Sequence, residues 1–544
     1  MPAGQTHRHR IGPRPYHAPV VPGVEGDLAG AAASLLELAD DLADRLARAA
    51  RARTSLACQH AMLRAIGVSG LAPNGRPLAH EVLRRFVTTD RRLLRTGVAL
   101  PFALAAHEYD LEPQDLAVEV ADGHVDLAAE AALLRERSRS GPARILLEAW
   151  LDAADDRFEA NRVARAELAS LFGAAPSLCV AAEARPFDAR EAAADAASLV
   201  GAGADLVRVR VPRDGELRDD LGATASEDEW PVGRDVPPPA GSQRGLALLR
   251  GALDEAGARN GRYARLAARR VGLAAPELAV VAGFERIDSV FLDPMDAIVE
   301  VGVDPDRALA DHAVADALLV RSGARLVLGA GPLVGAEPTR TPPDPVLASG
   351  RALALQALSR SFALRNGFPA DRVDLGAIPA FAIGRESSVR ALVEVSLRAM
   401  LFPGHRLVVD DQAVEACGPV LPGLLATWMA AGAQIGMVVL PGSLRPIAQL
   451  HDGLRGAARA AGALSDAHQV GPLRGEAFED AAAVLSAALE MLRLVDRSGL
   501  AAAVGREAWL GAEGLEPVGP GDIASAWARN ELRPEDEPQI ATGR

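Results

Sequence analysis

The sequence contains no lysine, because all 58 of its basic residues are arginine. A chain without a lysine amine cannot form a Schiff base through its own side chains. This excludes enzymes that anchor a carbonyl substrate or an aldehyde cofactor on their own lysine. Aromatic residues are also scarce, at 4% of 544 residues, although hydrophobic residues make up 49%. We therefore expect a core built mainly of alanine, valine and leucine.

Cysteines and long apolar runs are few as well. Cys58, Cys179 and Cys417 lie far apart without a pairing pattern, which suits a reducing compartment. No stretch resembles a signal peptide or is apolar enough to span a bilayer, so we expect a cytoplasmic protein without a membrane partner. The net charge of −14 argues against a nucleic-acid-binding surface.

The short signatures of common chemistries are missing too. The sequence has no HExxH or CxxC spacing, so we expect no metal site. It also has no GxSxG, no Walker loop and no GxGxxG between a strand and a helix. The missing motifs exclude the hydrolases and nucleotide-binding proteins that are recognised by these short signatures.

The first third of the chain has a helical pattern. Residues 1–25, rich in proline, glycine, histidine and arginine, predict a disordered tail. Residues 26–173 predict an all-helical region in which apolar positions recur at three and four residues. The predicted helices are 27–53, 55–66, 78–86, 100–109, 113–121 and 143–172.

Strands and helices alternate in residues 177–465. The predicted strands are 178–182, 206–211, 263–267, 289–292, 325–328, 373–376, 406–409 and 435–440. The predicted helices between and after them are 188–200, 243–258, 275–282, 306–321, 346–366, 385–401, 419–431 and 444–461. Eight strand–helix units favour a closed (βα)8 TIM barrel. The alternative, a doubly wound open sheet, usually has a glycine-rich turn after its first strand, whereas this chain has EARPFD there.

Two further stretches complete the organisation. The longest loop of the barrel, 212–241, follows the second strand on the face where barrel enzymes carry their chemistry. Residues 466–544 predict one amphipathic helix and a tail rich in glycine, proline and acidic residues. At the strand ends, Asp293 and Asp410 are either a pair of carboxylates for acid–base work or helix caps.

Several segments together resemble the α subunit of lysine 5,6-aminomutase, a family of adenosylcobalamin- and pyridoxal-phosphate-dependent enzymes. The resemblance starts at RTSLACQHAMLRAIGVSG and continues through LRTGVALPFALAAHEYDLEPQDLAVEVADGHVDL. It resumes at LLRGALDEAGARNGRYARLA, PELAVVAGFERIDSVFLDPM and RALADHAVADALLVRSGARLVL. It covers most of residues 50–460 as spaced segments, and their order carries more weight than any one of them.

The resemblance implies a barrel that binds pyridoxal phosphate and an amino-acid substrate at its carboxyl-terminal face. It also implies a separate cobalamin-binding β subunit, which supplies the lysine that holds the pyridoxal and so explains a chain without lysine. The reaction implied is a radical 1,2-shift of an amino group on lysine or a related diamino acid. Carried onto this sequence, the resemblance suggests Arg210, Ser242, Tyr263 and Arg265 for the cofactor. For the substrate it suggests Asp311, and Asp293 and Asp410, found at strand ends without the resemblance, are further candidates.

Departures from the family pattern leave alternatives open. After the second strand this chain has VPRDG in place of the family's Thr-Thr-Gly, and after the fifth it has GAGPL in place of two carboxylates. A homologue without catalytic activity, serving as a scaffold or regulatory partner, is the second hypothesis. A third is an unrelated barrel enzyme that uses Asp293 and Asp410.

Overall fold

Short parallel strands, rich in valine, leucine and alanine, form the centre of the computed structural model. The structure describes residues 26–69, 72, 78–89, 97–137, 140–172, 179–184, 189–211, 243–270, 275–298, 304–329, 345–378, 387–410, 413–414, 421–430, 433–440 and 476–504. The predicted tail 1–25, the loop 212–241, Ser242 and the barrel's predicted last helix 444–461 lie outside these residues.

The predicted (βα)8 barrel is confirmed. Eight strands pair in parallel in the closed order β1 to β8, with β8 returning to β1. They are β1 Cys179–Ala184, β2 Leu206–Val211, β3 Arg265–Arg270, β4 Ser289–Phe291, β5 Arg325–Leu328, β6 Val373–Gly376, β7 Arg406–Val409 and β8 Ile435–Leu440. Closure leaves no exposed sheet edge, and it places all the carboxyl-terminal strand ends at one mouth.

Helices cover the outside of the barrel and precede it. The first seven, which precede β1, are α1 Gly26–Arg51, α2 Ser55–Ala65, α3 Leu78–Thr89, α4 Ala99–Tyr109, α5 Pro113–Asp122, α6 Leu127–Arg137 and α7 Ser140–Phe172. The barrel helices are α8 Ala189–Ala202, α9 Gln243–Arg259, α10 Ala275–Phe284, α11 Pro305–Ser322, α12 Pro345–Arg365, α13 Ser387–Leu401 and α14 Leu421–Ala430. The last is α15 Glu476–Val504. The sequence patterns did not predict α6.

The helices before β1 divide between two cores. Helices α2 to α6 and the first half of α7 bury a core of their own, from Leu56 to Leu151. Helix α1 instead packs against the barrel helices α11, α12 and α13 and against α15. Its buried leucines and alanines therefore belong to the main hydrophobic core of the barrel.

Inside the barrel, alternate strand residues point inward and form layers. A middle layer is apolar, with Ala181, Leu206, Ala267, Phe291 and Val327 among its members. Below it, toward the amino-terminal end, is an ionic layer. Buried Asp374 of β6 accepts two hydrogen bonds from Arg325 of β5 and two from Arg406 of β7, at 2.7–2.9 Å. These two layers fill the barrel from below, so that any site lies at the carboxyl-terminal mouth.

Helix α7 fastens the helical region to the amino-terminal end of the barrel. The Asn161 side chain donates to the carbonyls of Gly283 and Phe284 at the end of α10, at 3.0 and 2.7 Å. Arg165 donates to the carbonyl of Ser322 at the end of α11 and to that of Ile287. Carbonyls in the last turn of a helix lack partners within the helix, so α7 satisfies groups that would otherwise need water.

Candidate functional site

The most buried charge near the mouth of the barrel is Arg208 of β2. It pairs with Ala267 of β3 in the sheet register and shares the inner face with Leu206. Its guanidinium is completely buried; it donates to Glu183 Oε2 of β1 at 3.0 Å and stands 5.2 Å from the centre of the Phe291 ring. A buried guanidinium is tolerated only with such partners, and here it adds positive charge directly above the apolar layer.

Arginines continue along the same two strands toward the mouth. Arg210 is two residues further along β2, and in the register it pairs with Arg269 of β3, which is half-buried. Guanidinium groups bind phosphate and carboxylate groups through paired N–H donors. The β2–β3 side of the mouth therefore has the donor set for an anionic group, and the phosphate of pyridoxal phosphate fits that chemistry.

The two predicted carboxylates at the strand ends act as caps. Asp293, just after β4, accepts from the Met295 amide at 2.8 Å and from the Ser359 hydroxyl of α12 at 2.7 Å. Asp410, just after β7, accepts from the Ala413 amide at 2.9 Å. Strands β5 and β6 separate their two positions in the barrel. Both residues therefore have the geometry of helix caps and not that of a pair of carboxylates for acid–base work.

A third carboxylate at the mouth was not predicted. Asp296 is half-buried and lies three residues after Asp293, in the helical turn that Asp293 caps. Its carboxylate rests against Gly329 at the end of β5, so closely that a Cβ on Gly329 would lie 2.6 Å from Asp296 Oδ2. The signal in the sequence was a second acidic residue in LDPMD, one turn after the strand.

Tyr263 is in a different place from the one predicted. It precedes β3 by two residues, at the amino-terminal end of the barrel, and its hydroxyl donates to Asp288 Oδ1 at 2.7 Å. Burial, together with the nearby Asp288 carboxylate, raises the pKa of that hydroxyl. Arg265 begins β3 beside it, with its guanidinium 5.4 Å from the Tyr263 ring. Both residues lie at the end opposite the mouth, so neither reaches the site for which it was predicted.

Asp311 also lies away from the mouth. It is buried on α11 and accepts from Arg307 Nε one turn earlier, at 2.8 Å. His60 of α2 is its electrostatic neighbour, which places Asp311 on the outer side of the barrel against the helical region. Burial raises the pKa of Asp311, and Arg307 opposes that rise. It is therefore paired within its own helix, on the side of the barrel that faces α2, and not at the mouth.

Neither a membrane-spanning helix nor a cluster of metal ligands is found among the described residues. Within those ranges, no helix is long and apolar enough to cross a membrane. Nor do three or more histidines, cysteines or acidic residues come together there as a metal site would require. Cys179 belongs to the apolar interior of the barrel, where burial raises the pKa of its thiol to about 12.

The fold defines a TIM-barrel protein whose carboxyl-terminal mouth has arginines at β2 and β3 and the Asp296 carboxylate beside the end of β5. Residues 31–409 match the model of the family described as the D-lysine 5,6-aminomutase TIM-barrel domain of the alpha subunit. The chain therefore belongs to this family. The match runs from α1 to the end of β7 and includes Arg208, Asp296 and Gly329.

Individual relatives agree with the family match. The chain is 25% identical over 361 residues to the lysine 5,6-aminomutase alpha subunit of Fusobacterium nucleatum, and 24% identical over 362 residues to that of Acetoanaerobium sticklandii. The first alignment covers 65% of each chain and the second 64%, so the likeness spans a little under two thirds of these relatives.

Solved structures with a similar fold are more distant. A dihydropteroate synthase from Anaplasma phagocytophilum has a TM-score of 0.33 and 12% identity, covering 53% of this chain and all of the synthase. An HMG-CoA lyase from Brucella melitensis has a TM-score of 0.31 and 13% identity, covering 53% of this chain and 99% of the lyase.

Proposed function

We propose that this chain is the barrel subunit of an aminomutase that uses adenosylcobalamin and pyridoxal phosphate and acts on lysine or a related diamino acid. Membership of the lysine 5,6-aminomutase alpha family supports the reaction class. The carrying observation is the completely buried Arg208 at the inner mouth, with Arg269 one register pair further out. Neighbouring arginines at a strand end are a donor set that suits an anion, and this supports phosphate binding there.

In this proposal the β2–β3 side of the mouth binds the cofactor and the β4–β5 side binds the substrate. Arg208 and Arg269 would hold the cofactor phosphate, and Arg210 lies at the register position beside Arg269. Asp296, on the β4–β5 side, would accept hydrogen bonds from a substrate ammonium group. When bound, pyridoxal phosphate supplies the carbonyl carbon that carries the migrating nitrogen, and adenosylcobalamin supplies the radical.

The residues below the mouth close the site from beneath. Phe291 and Val327 form part of the apolar middle layer, and Asp374 with its two arginines fills the layer under it. A packed floor keeps bulk water from reaching reactive groups at the mouth from the amino-terminal end. The chain has no lysine and cannot supply a covalent anchor for the pyridoxal, so in this proposal a cobalamin-binding partner subunit supplies it.

Turnover with the candidate cobalamin-binding subunit, both cofactors and a set of diamino acids tests this proposal. We expect a change in pyridoxal absorbance on mixing and conversion of at least one diamino acid. Asp296→Asn should raise KM for that substrate by about tenfold, the scale of one lost charge-assisted hydrogen bond. Asp371→Asn, an exposed carboxylate before β6, is its control. No absorbance change and no turnover with any diamino acid would contradict the proposal.

A second candidate function, a scaffold or regulatory homologue without catalysis, has one observation in its favour. Both carboxylates predicted from the strand ends, Asp293 and Asp410, are engaged as caps. A barrel that binds its partner but not pyridoxal phosphate would show this function. Co-purification with the partner, together with no pyridoxal binding by the complex, is the expected result in that case.

A further inference from the structure

One face of α12 holds three neighbouring strand ends through two buried polar side chains. The Gln356 amide nitrogen donates to the carbonyl of Gly329 after β5 at 2.7 Å and to that of Gly376 at the end of β6 at 2.9 Å. Both partners are acceptors, so the orientation of the amide is determined by its contacts. Gln356 is completely buried, and such a side chain is costly in a core unless its hydrogen bonds are made.

The second side chain reaches the next strand end. Ser359, three residues after Gln356 and therefore on the same face of α12, donates from its hydroxyl to Asp293 Oδ1 at 2.7 Å. That same oxygen accepts the Met295 amide at 2.8 Å. Ser359 thus ties the turn after β4 to the helix that holds the ends of β5 and β6.

The contacts of Gln356 and Ser359 lie on either side of Asp296. The turn that carries Asp296 begins at Asp293, which Ser359 holds. The surface against which the Asp296 carboxylate rests is Gly329, whose carbonyl Gln356 holds. Apolar side chains on α12 would also pack against the sheet, but they would not set the hydrogen-bond geometry of the mouth.

We infer that Gln356 and Ser359 are positioning residues that fix the Asp296 carboxylate at the mouth of the barrel. The role of Asp296 toward a substrate ammonium rests on the proposed function, whereas its fixed position does not. A well-supported carboxylate matters because a displacement of about 1 Å at a binding group can cost on the order of a hundredfold in rate.

The same helix offers a matched control. Ser361, two residues after Ser359 and on the opposite side of α12, is also buried and also donates to an aspartate, Asp40 of α1, at 2.5 Å. Ser359→Ala and Ser361→Ala therefore each remove one buried serine–aspartate hydrogen bond from one helix. Only the first removes it from the mouth.

Hydrogen exchange in the full chain separates the two variants without any substrate. We expect exchange of the segment 293–298 to be about fivefold faster in Ser359→Ala than in the wild type, the scale of one net hydrogen bond. Ser361→Ala should leave that segment unchanged. Equal exchange of this segment in both variants would overturn the inference. Gln356→Met, which keeps the volume and removes the donor, should speed exchange of the same segment, and no change there would also count against it.

A kinetic readout follows where the complex turns over a diamino acid. Ser359→Ala should raise KM about fivefold with kcat within about twofold, because the contact orients a binding group. In the double variant with Asp296→Asn, the Ser359→Ala effect on KM should disappear, whereas effects of Ser361→Ala should simply add. Additive effects for both serines would contradict positioning through Asp296. If the wild type binds no substrate, the proposed function fails, and the exchange experiment still decides the inference.

Discussion

At the residue scale, buried ionic groups have different roles at the two ends of the barrel. Asp288 at the amino-terminal end accepts from Tyr263 and from the Leu266 amide and lies close to Arg165 and Arg250. Arg208 at the mouth has Glu183 beside it and the arginines of β2 and β3 above it. The lower group accepts from several donors and stabilises the fold, whereas the upper one is the group that we propose holds the cofactor phosphate.

Tyr263→Phe separates these two roles. Asp288 keeps its other donors in this variant, so we expect a loss of about 1 kcal/mol in the free energy of unfolding. Pyridoxal phosphate affinity should not change, since Tyr263 lies at the opposite end of the barrel. Tyr109→Phe is the control. The Tyr109 ring is exposed and its hydroxyl lies 3.3 Å from Glu130, so its removal should change neither quantity. Weaker cofactor binding in Tyr263→Phe alone would show that the assignment of the site to the mouth is wrong.

At the element scale, α11 and α12 enclose a second set of buried titratable groups. Asp316 of α11 accepts from the Asn366 amide, which follows α12, at 2.9 Å. Burial raises the pKa of Asp316 to about 7, with Asn366 opposing the rise and Asp293 adding to it. In the folded protein this carboxyl therefore keeps its proton at pH values where the unfolded chain has released it.

The sign of the pH dependence follows from that raised pKa. The contribution of Asp316 to stability is complete below about pH 4 and declines as the pH rises toward 7. Asp316→Asn removes the decline and still accepts from Asn366. We expect the variant to be more stable than the wild type at pH 8, by more than about tenfold in the unfolding equilibrium constant, and nearly equal to it at pH 4.

Denaturant unfolding at pH 4 and pH 8 measures this difference. Asp371→Asn, an exposed residue before β6, is the control and should show no such dependence. A wild type whose advantage over Asp316→Asn grows with pH would contradict the account.

The strand pattern was predictable because each barrel strand is a short apolar run followed by an amphipathic helix. Strands β2, β5, β6, β7 and β8 have the predicted bounds. Strand β3 does not, because Tyr263 and Ala264 extend its apolar run toward the amino terminus while the real strand ends on Arg269 and Arg270. The cofactor roles of Tyr263 and Arg265 came from the resemblance, whereas the structure places both at the amino-terminal end of β3, away from the mouth.

Side-chain positions at the site were harder to predict than the fold. The alternation in VRVRV does place Arg208 on the inner face with Leu206, which was a usable signal. The position of Asp296 depends on the missing side chain of Gly329, which is 33 residues away in the sequence and adjacent only in the closed barrel. Asp311 was misplaced because no local pattern says which helix covers α11.

At the scale of the whole molecule, the first and last helices of the described residues meet on one side of the barrel. Helices α1 and α15 contact each other and both pack on α12. Arg45 of α1 pairs with Asp496 of α15 at 2.5 Å. Gly350 lets α12 and α15 approach closely, since a Cβ there would lie 2.5 Å from Ala487 Cβ and 2.7 Å from the Val484 carbonyl.

Gly350→Ala tests how much this contact stabilises the molecule. The added methyl group must push α15 away from α12, and we expect a loss of about 1–3 kcal/mol in the free energy of unfolding. Gly251→Ala on α9 is the matched control, because a Cβ there meets nothing within 4 Å. It should stabilise the protein by about 0.5–1 kcal/mol through helix propensity alone. Thermal unfolding of the two variants measures both effects, and similar changes in the two would refute the role of α15.

We propose that the mouth of this barrel binds pyridoxal phosphate through its buried arginine, Arg208. The most direct test is a titration of pyridoxal phosphate into the complex of this chain with its cobalamin-binding partner, comparing Arg208→Gln with Arg406→Gln. Each variant removes one arginine inside the barrel and leaves a carboxylate behind, Glu183 at the mouth and Asp374 in the lower layer. We predict that Arg208→Gln weakens binding by about tenfold or more, the scale of a lost charge-assisted contact, and that Arg406→Gln leaves it unchanged. Absence of binding in the wild type, or equal losses in both variants, would contradict the account.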